Sequence, residues 1–248
     1  MTVNLSVVIP AHNEAGNIAP LLSEIDIALS NFNDYEVIIV DDGSDDNSQK
    51  ELYEALFHYP RLRVFRHDQR CGKAAGLVTG ITAARAAWVV TLDGDGQDDP
   101  AEIPKLLAAR DSALSPKVKL VSAVRMNRND GKAKSFASRI ANRVRQSLLK
   151  DNARDSGCGF KLIERAAFLE LPVFDNMHRF LPALIKRSGY AMAEVPVTNR
   201  PRLKGISHYG ILDRGVAGAI DLLGVAWLMR RHHRPVVNNI LPKTPQEK

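Results

Sequence analysis

Asp93, Asp95, Asp98 and Asp99 fall inside one short segment, Leu92-Asp93-Gly94-Asp95-Gly96-Gln97-Asp98-Asp99-Pro100, which follows a hydrophobic run and leads into a helical pattern. Carboxylates this close repel one another unless cations or hydrogen-bond donors compensate. Asp93 and Asp95 stand two residues apart, so an extended backbone can aim both at one point, and the intervening glycines allow tight turns. Hard oxygen donors of this kind suit Mg2+ or Mn2+, which complete their shells with phosphate and water. A diphosphate-bearing substrate follows from that preference. An EF-hand does not fit, because the segment lacks the glutamate at loop position 12 and runs into Pro100. For Asp98 and Asp99 a helix N-cap is the simpler task.

Two further acidic or polar segments follow apolar runs. In Val40-Asp41-Asp42-Gly43-Ser44-Asp45-Asp46, Asp41 or Asp42 can accept bonds from a base N–H or from ribose hydroxyls, whereas Ser44 and Asp46 suit a turn and cap. In Ile9-Pro10-Ala11-His12-Asn13-Glu14, Pro10 fixes the loop, Glu14 can accept from a nucleotide, and His12 reads as a wall of the site. Gly72-Lys73-Ala74-Ala75-Gly76 opens a helix but does not match the phosphate-loop pattern. Lys73 near a helix N-terminus can attract phosphate, and a solvated lysine fits equally well.

Something must bring these segments together. Short apolar runs at 5–10, 35–40, 62–65, 88–92 and 119–124 alternate with helical patterns at 16–29, 49–57, 73–84 and 100–109. Such alternation predicts an α/β fold with a mostly parallel central sheet flanked by helices. Pro10, Asp41 and Asp93 stand at the ends of three strands. Ligands of open α/β sheets bind outside the carboxyl ends of strands, so the three motifs predict one shared site. Beyond about residue 125 the pattern changes. It predicts a basic amphipathic helix at 134–150, a glycine-containing loop at 155–162, and helices at 164–169 and 179–187. A strand at 190–197, a basic loop at 200–210 and an apolar-rich helix at 211–229 complete it.

Taken in order, IPAHNE, VDDGSDD, GKAAG and LDGDGQDDP resemble the family 2 glycosyltransferases of the GT-A, Rossmann-like fold. QDDP after the paired aspartates resembles the polyprenol-phosphate (dolichol-phosphate mannosyltransferase-like) subgroup. The likeness continues through Arg125, Asp155 to Lys161, His178-Arg179-Phe180, Arg200-Pro201-Arg202, Gly205 and Ser207-His208-Tyr209. It implies a transferase domain over 1–210; the residue pattern beyond it predicts an amphipathic helix over 211–234 and a flexible tail over 235–248. It implies that Pro10, Glu14 and Asp41 hold the nucleotide, together with His12, Asp42, Lys73 and Asp93. The metal set it implies is Asp93, Asp95 and Gln97. Arg125, Arg139, Arg200 and Arg202 would face the donor diphosphate and the acceptor phosphate, with His208 beside them. Asp95, Arg125, Arg200 and Arg202 would be the catalytic group. Many relatives carry C-terminal membrane spans, and this sequence has no such run.

The expected reaction is transfer of a sugar, with inversion, from a nucleotide-sugar donor to a polyprenyl phosphate, aided by Mg2+ or Mn2+. Such an acceptor needs no general base, because the second pKa of a phosphate monoester is about 6. The alternative is a family 2 enzyme that glycosylates a hydroxyl of a soluble glycan or lipid-linked saccharide, with Asp98 or Asp99 as base.

Charge and composition narrow the partners. The net charge is +6, with basic residues clustered at 125–145 and 200–234. Aromatic residues are only 6%, and acids occupy the strand ends, so nucleic acid is not expected as a partner. Cys71 and Cys158 form no CxxC pair, and their spacing suggests neither a disulfide framework nor a zinc site. No signal peptide and no run of about 18 apolar residues is apparent, so a cytoplasmic protein at the inner face of a membrane is expected. In the helix at 211–229, Asp213, Arg214 and Asp221 interrupt the apolar face, and Trp227 precedes Arg230, Arg231 and Arg234. That pattern suits an interfacial membrane helix, and equally a helix packed on the core, on a second copy, or on a separate membrane protein.

Overall fold

The computed structural model describes residues 3–32, 34–126, 142–198, 200 and 211–231, with residues 211–217 described by backbone alone. Strands β1 (Leu5–Ala11), β2 (Tyr35–Asp41), β3 (Leu62–Arg66), β4 (Trp88–Thr91), β5 (Val118–Met126), β6 (Lys161–Glu164) and β7 (Ala191–Thr198) form one sheet in the order β3-β2-β1-β4-β6-β5-β7. Every pairing is parallel except those of β6, which runs antiparallel between β4 and β5. The helices are α1 (Ile18–Ala28), α2 (Ser48–His58), α3 (Lys73–Ala83), α4 (Ile103–Asp111), α5 (142–149), α6 (Arg165–Leu169), α7 (Leu181–Arg187) and α8 (Ile211–Arg230).

The alternation of side chains along each strand builds two cores. Leu5, Val7 and Ile9 of β1 face one way, with Val37 and Ile39 of β2, and meet Leu21, Leu22 and Ile25 of α1 and Ile103 and Leu106 of α4. Val8, Ile38 and Val40 face the other way and meet Leu77 and Ile81 of α3, with Leu184 of α7 and Val225 of α8 in the same layer. Both faces are therefore covered, and this is why these strands read as unbroken apolar runs.

β6 corrects the expected loop at 155–162. Lys161-Leu162-Ile163-Glu164 is too short and too polar at its ends to show a strand period. It becomes a strand because β4 and β5 leave a gap that its backbone fills, with Leu162 paired to Val90 and Val121. The helix expected at 134–150 is described only over 142–149, where it is helical, and the loop at 200–210 is described only at Arg200.

β1 has β2 on one side and β4 on the other, so the chain reverses its direction of travel across the sheet there. A crevice opens outside the strand ends at such a switch point. The segments after β1, β2 and β4 all reach it. α3 lies very close beneath, because Gly76 and Gly80 face the sheet. A Cβ on Gly80 would stand 2.4 Å from Val8 Cγ1, and one on Gly76 would stand 2.8 Å from Pro10 Cβ. Gly80→Ala is expected to lower unfolding free energy by about 1–3 kcal/mol through overpacking. Denaturant melts of wild type and variant check this, and an unchanged midpoint would count against the close approach.

Candidate active site

The loops after β1 and β2 are tied to each other by side chains of both. Asn13 sits at φ 57°. Its backbone N–H donates to Ser44 Oγ (3.0 Å) and its amide to Asp45 Oδ1 (2.6 Å), while Asp45 N–H donates back to Asn13 Oδ1 (3.0 Å). Glu14 N–H donates to Ser48 Oγ (2.9 Å), and Asn17 Nδ2 to Glu14 Oε2 (2.8 Å). His12 donates from Nδ1 to the Asp42 carbonyl at 2.9 Å, a carbonyl being only an acceptor.

The paired acids of β2 are both buried and both engaged. Asp41 accepts from Ser44 N–H (3.0 Å) and from the Arg66 guanidinium, which also reaches the Ser44 carbonyl (3.0 Å). Asp42 accepts from His67 Nδ1 (2.8 Å), Cys71 N–H (2.8 Å) and Gly72 N–H (2.7 Å). Burial opposes ionisation of Asp42, but His67 and the two backbone donors hold its pKa below the ordinary aspartate value. Asp42 thus anchors the loop between β3 and α3, a structural task the sequence did not suggest.

That loop delivers Lys73 to Asp93, and the two form an ion pair. Asp93 N–H donates to Asp98 Oδ2 (3.1 Å), and Gln97 N–H donates to Asp95 Oδ1 (3.1 Å), so the acids cap their own turn. Gly94 lies against the first loop, where a Cβ would be 3.3 Å from Glu14 Cγ and 3.6 Å from the Pro10 carbonyl. Asp93 is held ionised: burial opposes the charge, and Lys73 overcomes it. Asp98 carries the cost of the crowding, because burial and then the neighbouring Asp93 charge push its pKa up to about 7. Burial and a like charge act in the same direction here, both favouring the protonated acid.

Residues from the second half close the floor. Arg125 forks onto Asp155, Nε to Oδ2 at 2.8 Å and Nη2 to Oδ1 at 3.0 Å, which holds the guanidinium rigid and cationic. The buried Lys161 ammonium donates to the carbonyls of Ser156 and Cys158 and so fixes the turn at 155–159. Thr91 Oγ1 donates to the Gly159 carbonyl at 2.6 Å. Gly159 forms the seat of Asp93, since a Cβ there would stand 2.2 Å from Asp93 Oδ1. His178, beside Lys73 and Asp93, is kept neutral, its pKa brought down to about 3 by burial and then by the Lys73 charge. Arg200 N–H donates to the Gln97 carbonyl (3.2 Å), and its guanidinium to Glu24 Oε2 (2.7 Å) and the Asp98 carbonyl (3.3 Å). Arg139, Arg202 and His208 lie outside the described residues.

The structure therefore brings Pro10, His12, Glu14, Asp41, Asp42, Lys73, Asp93, Asp95 and Gln97 to one edge of the sheet. Arg125 and Arg200 reach its flanks, each already paired with a carboxylate. Sequence reasoning gave no task to Glu24, Arg66, Asp155, Gly159, Lys161 or His178. For Gly159, Lys161 and His178 the available signal was their place in the motifs Asp155 to Lys161 and His178-Arg179-Phe180.

The model of glycosyl transferase family 2 matches residues 6–171. The chain belongs to glycosyl transferase family 2. This family 2 transferase is 31% identical over 242 residues to a dodecaprenyl-phosphate galacturonate synthase of Rhizobium johnstonii, covering 94% of this chain and 70% of that protein. It is 30% identical over 211 residues to an undecaprenyl-phosphate 4-deoxy-4-formamido-L-arabinose transferase of Edwardsiella ictaluri, covering 84% of this chain and 63% of that one. Its fold matches crystal structures of glucosyl-3-phosphoglycerate synthase from Mycobacterium tuberculosis. In one of these, with Mn2+, UDP-glucose and phosphoglyceric acid bound, the TM-score is 0.66 at 19% identity, over 92% of this chain and 79% of that one. A mycobacterial protein gives a TM-score of 0.68 at 21% identity, over 90% and 75%. The α/β architecture with its mostly parallel sheet is that of the GT-A fold.

Two outcomes follow for this family 2 transferase. Gly159→Ala is expected to displace the Asp93 carboxylate and lower the transfer rate about a hundredfold, with far-UV circular dichroism unchanged. A rate near wild type would remove Gly159 as the seat. Folded Asp98 keeps its proton up to about pH 7, whereas an unfolded aspartate loses it near pH 4. The fold then binds more protons in that interval, and stability falls as pH rises through it. Asp98→Asn removes the charge and keeps an acceptor for Asp93 N–H. In metal-free buffer its gain in Tm over wild type is expected to grow from pH 5 to pH 8; a gain independent of pH would contradict the crowding.

Proposed function

We propose that this enzyme transfers a sugar from a nucleotide-sugar donor to a polyprenyl phosphate with inversion at the anomeric carbon. The observation that carries the reading is the acidic knot at the β4 end, Asp93, Asp95 and Asp98, set beside Lys73 at the start of α3. The similarity to a dodecaprenyl-phosphate galacturonate synthase along 94% of the chain supports the acceptor class. The curated arabinose transferases are only partly spanned by this chain, which covers 63% of the Edwardsiella protein, so substrates are inferred for the shared portion.

The donor set fits a hard divalent ion. It consists of the carboxylates of Asp93, Asp95 and Asp98, with Lys73 paired to Asp93. Asp93 and Asp95, with Gln97, would hold Mg2+ or Mn2+. When bound, such an ion stabilises the charge that develops on the leaving diphosphate as a Lewis acid. Pro10, His12, Glu14 and Asp41 line the nucleotide side, with Asp42 holding its wall. Lys73 adds a cation for the donor phosphates. Arg125 and Arg200, kept charged by Asp155 and Glu24, serve the phosphates from the opposite flank. Arg139, Arg202 and His208 receive the acceptor phosphate in this reading.

An oxygen of the acceptor phosphate attacks the anomeric carbon. The bond from that carbon to the diphosphate oxygen breaks, and the nucleoside diphosphate departs with the electron pair. No proton has to leave the nucleophile, because a phosphate monoester is already largely ionised at neutral pH. A hydroxyl acceptor is the second reading, favoured by one observation: Asp98, with a pKa of about 7, is in the range of a general base.

The acceptor lipid implies a membrane surface. Among the described residues no helix is long and apolar enough to cross a membrane. On α8, Ile220, Leu223 and Trp227 are 66%, 66% and 60% exposed and lie at i, i+3 and i+7. Arg231 stacks over the Trp227 ring at 5.4 Å, and Arg230 is exposed beside it. An apolar stripe with a tryptophan and basic anchors suits the headgroup region of an anionic bilayer. Both cysteines are free, as suits a reducing compartment. In this reading the enzyme works peripherally at the inner face of the membrane.

A panel of nucleotide sugars assayed with polyprenyl phosphate and with glycan hydroxyl acceptors tests the reading. Transfer to polyprenyl phosphate is expected, abolished by EDTA and restored by Mg2+ or Mn2+, with Asp95→Ala lowering it at least about a hundredfold. Transfer only to hydroxyl acceptors, or a product of retained configuration, would overturn it.

A further inference from the structure

Asp42, His67 and Cys71 come together at the loop that carries Lys73. One oxygen, one nitrogen and one sulfur from them all lie within 4.8 Å of one another. We propose that these three side chains form a second metal site, for a thiophilic divalent ion such as Zn2+, separate from the hard-ion site at Asp93 and Asp95.

The donor set argues for the ion class. One imidazole, one thiolate and one carboxylate favour zinc-like ions over Mg2+ or Mn2+, which prefer oxygen throughout. Three protein ligands with a fourth position left to solvent is a common arrangement for zinc. The ligands are already oriented by outer partners. Thr79 Oγ1 bonds His67 Nε2 at 2.9 Å, which directs Nδ1 toward Asp42. Cys71 N–H and Gly72 N–H hold the Asp42 carboxylate at 2.8 Å and 2.7 Å. Partners of this kind fix the ring and carboxylate of a metal ligand.

The backbone around the site is rigid as well. Gly43, at φ +65°, packs so closely that a Cβ would stand 2.6 Å from the Gln69 carbonyl carbon. The loop after β2 and the loop before α3 are thus locked together before any ion arrives. Little movement is needed. Nδ1 and Oδ1 are 2.8 Å apart, and ligands about 2.0–2.1 Å from a tetrahedral ion stand roughly 3.3 Å apart, so the gap must open by about half an ångström. Cys71 is exposed and now bonds only weakly, to the Gln69 carbonyl at 3.3 Å, which gives an entry path and a thiol free to turn. Binding releases the thiol proton to solvent, while the His67 proton moves from Nδ1 to Nε2, where Thr79 Oγ1 accepts it and Nδ1 is left free to ligate.

The test titrates full-length reduced protein with Zn2+ against a chromophoric chelator, in saturating Mg2+, and repeats it with Co2+ by absorption spectroscopy. Wild type is expected to bind one Zn2+ and to show thiolate-to-Co2+ charge transfer. Cys71→Ser should weaken Zn2+ binding at least about tenfold and abolish that band. Asp95→Ala should retain both, which separates this site from the sugar-transfer site. Because Cys71 is exposed, its variant should melt like wild type; His67→Gln provides a second ligand deletion if it does not. Equal Zn2+ affinity in wild type and both variants, or absence of the charge-transfer band in wild type, would overturn the proposal.

Discussion

Like charges crowded at the end of one strand set the terms for the rest of this molecule. Asp93, Asp95 and Asp98 cannot all be ionised in a buried turn without compensation, and the protein supplies only part of it. Lys73 answers Asp93, and backbone N–H groups answer Asp95 and Asp98. Asp98, buried and beside Asp93, has its pKa raised first by burial and then by that charge. A site left deficient in positive charge binds a cation readily, and through it a diphosphate.

Keeping that arrangement in place requires residues far from it in sequence. The buried Lys161 holds two carbonyls of the turn at 155–159, and this turn offers Gly159 to Asp93 where any side chain would collide. Asp42 performs the equivalent task from the other side by anchoring the loop that presents Lys73. Both devices use a charged, buried group to organise backbone. For Asp42 the cost of burial is offset by three hydrogen-bond donors, whereas for Lys161 burial pulls the ammonium's pKa below its ordinary value.

The basic residues show the same economy of contact. Arg125 and Arg200 are each forked onto a carboxylate, Asp155 and Glu24, so their planes are fixed before substrate arrives. Arg200 also bonds the carbonyls of Gln97 and Asp98, which links the start of the basic segment at 200–210 to the acidic turn. Preorganised cations of this kind lose less freedom on meeting phosphate than solvated ones.

Much of this was legible in residue order. The buried strands, the helices between them and the three motif-bearing strand ends follow from side-chain period, because a two-sided parallel sheet demands apolar runs and acids stand out where those runs stop. The resemblance to a sugar-transferase family also lies in contiguous motifs. β6 was not legible, since Lys161 to Glu164 gains strand geometry only from partners at Val90 and Val121. Nor were the partnerships Arg200 with Glu24, separated by 176 residues, or His67 and Cys71 with Asp42. Sequence determined which elements form and which chemical groups stand at their ends, because those depend on local pattern. Tertiary structure alone decided which charge meets which, because Coulomb and hydrogen-bond energies depend on distance in space, and the crossovers of the sheet set that distance.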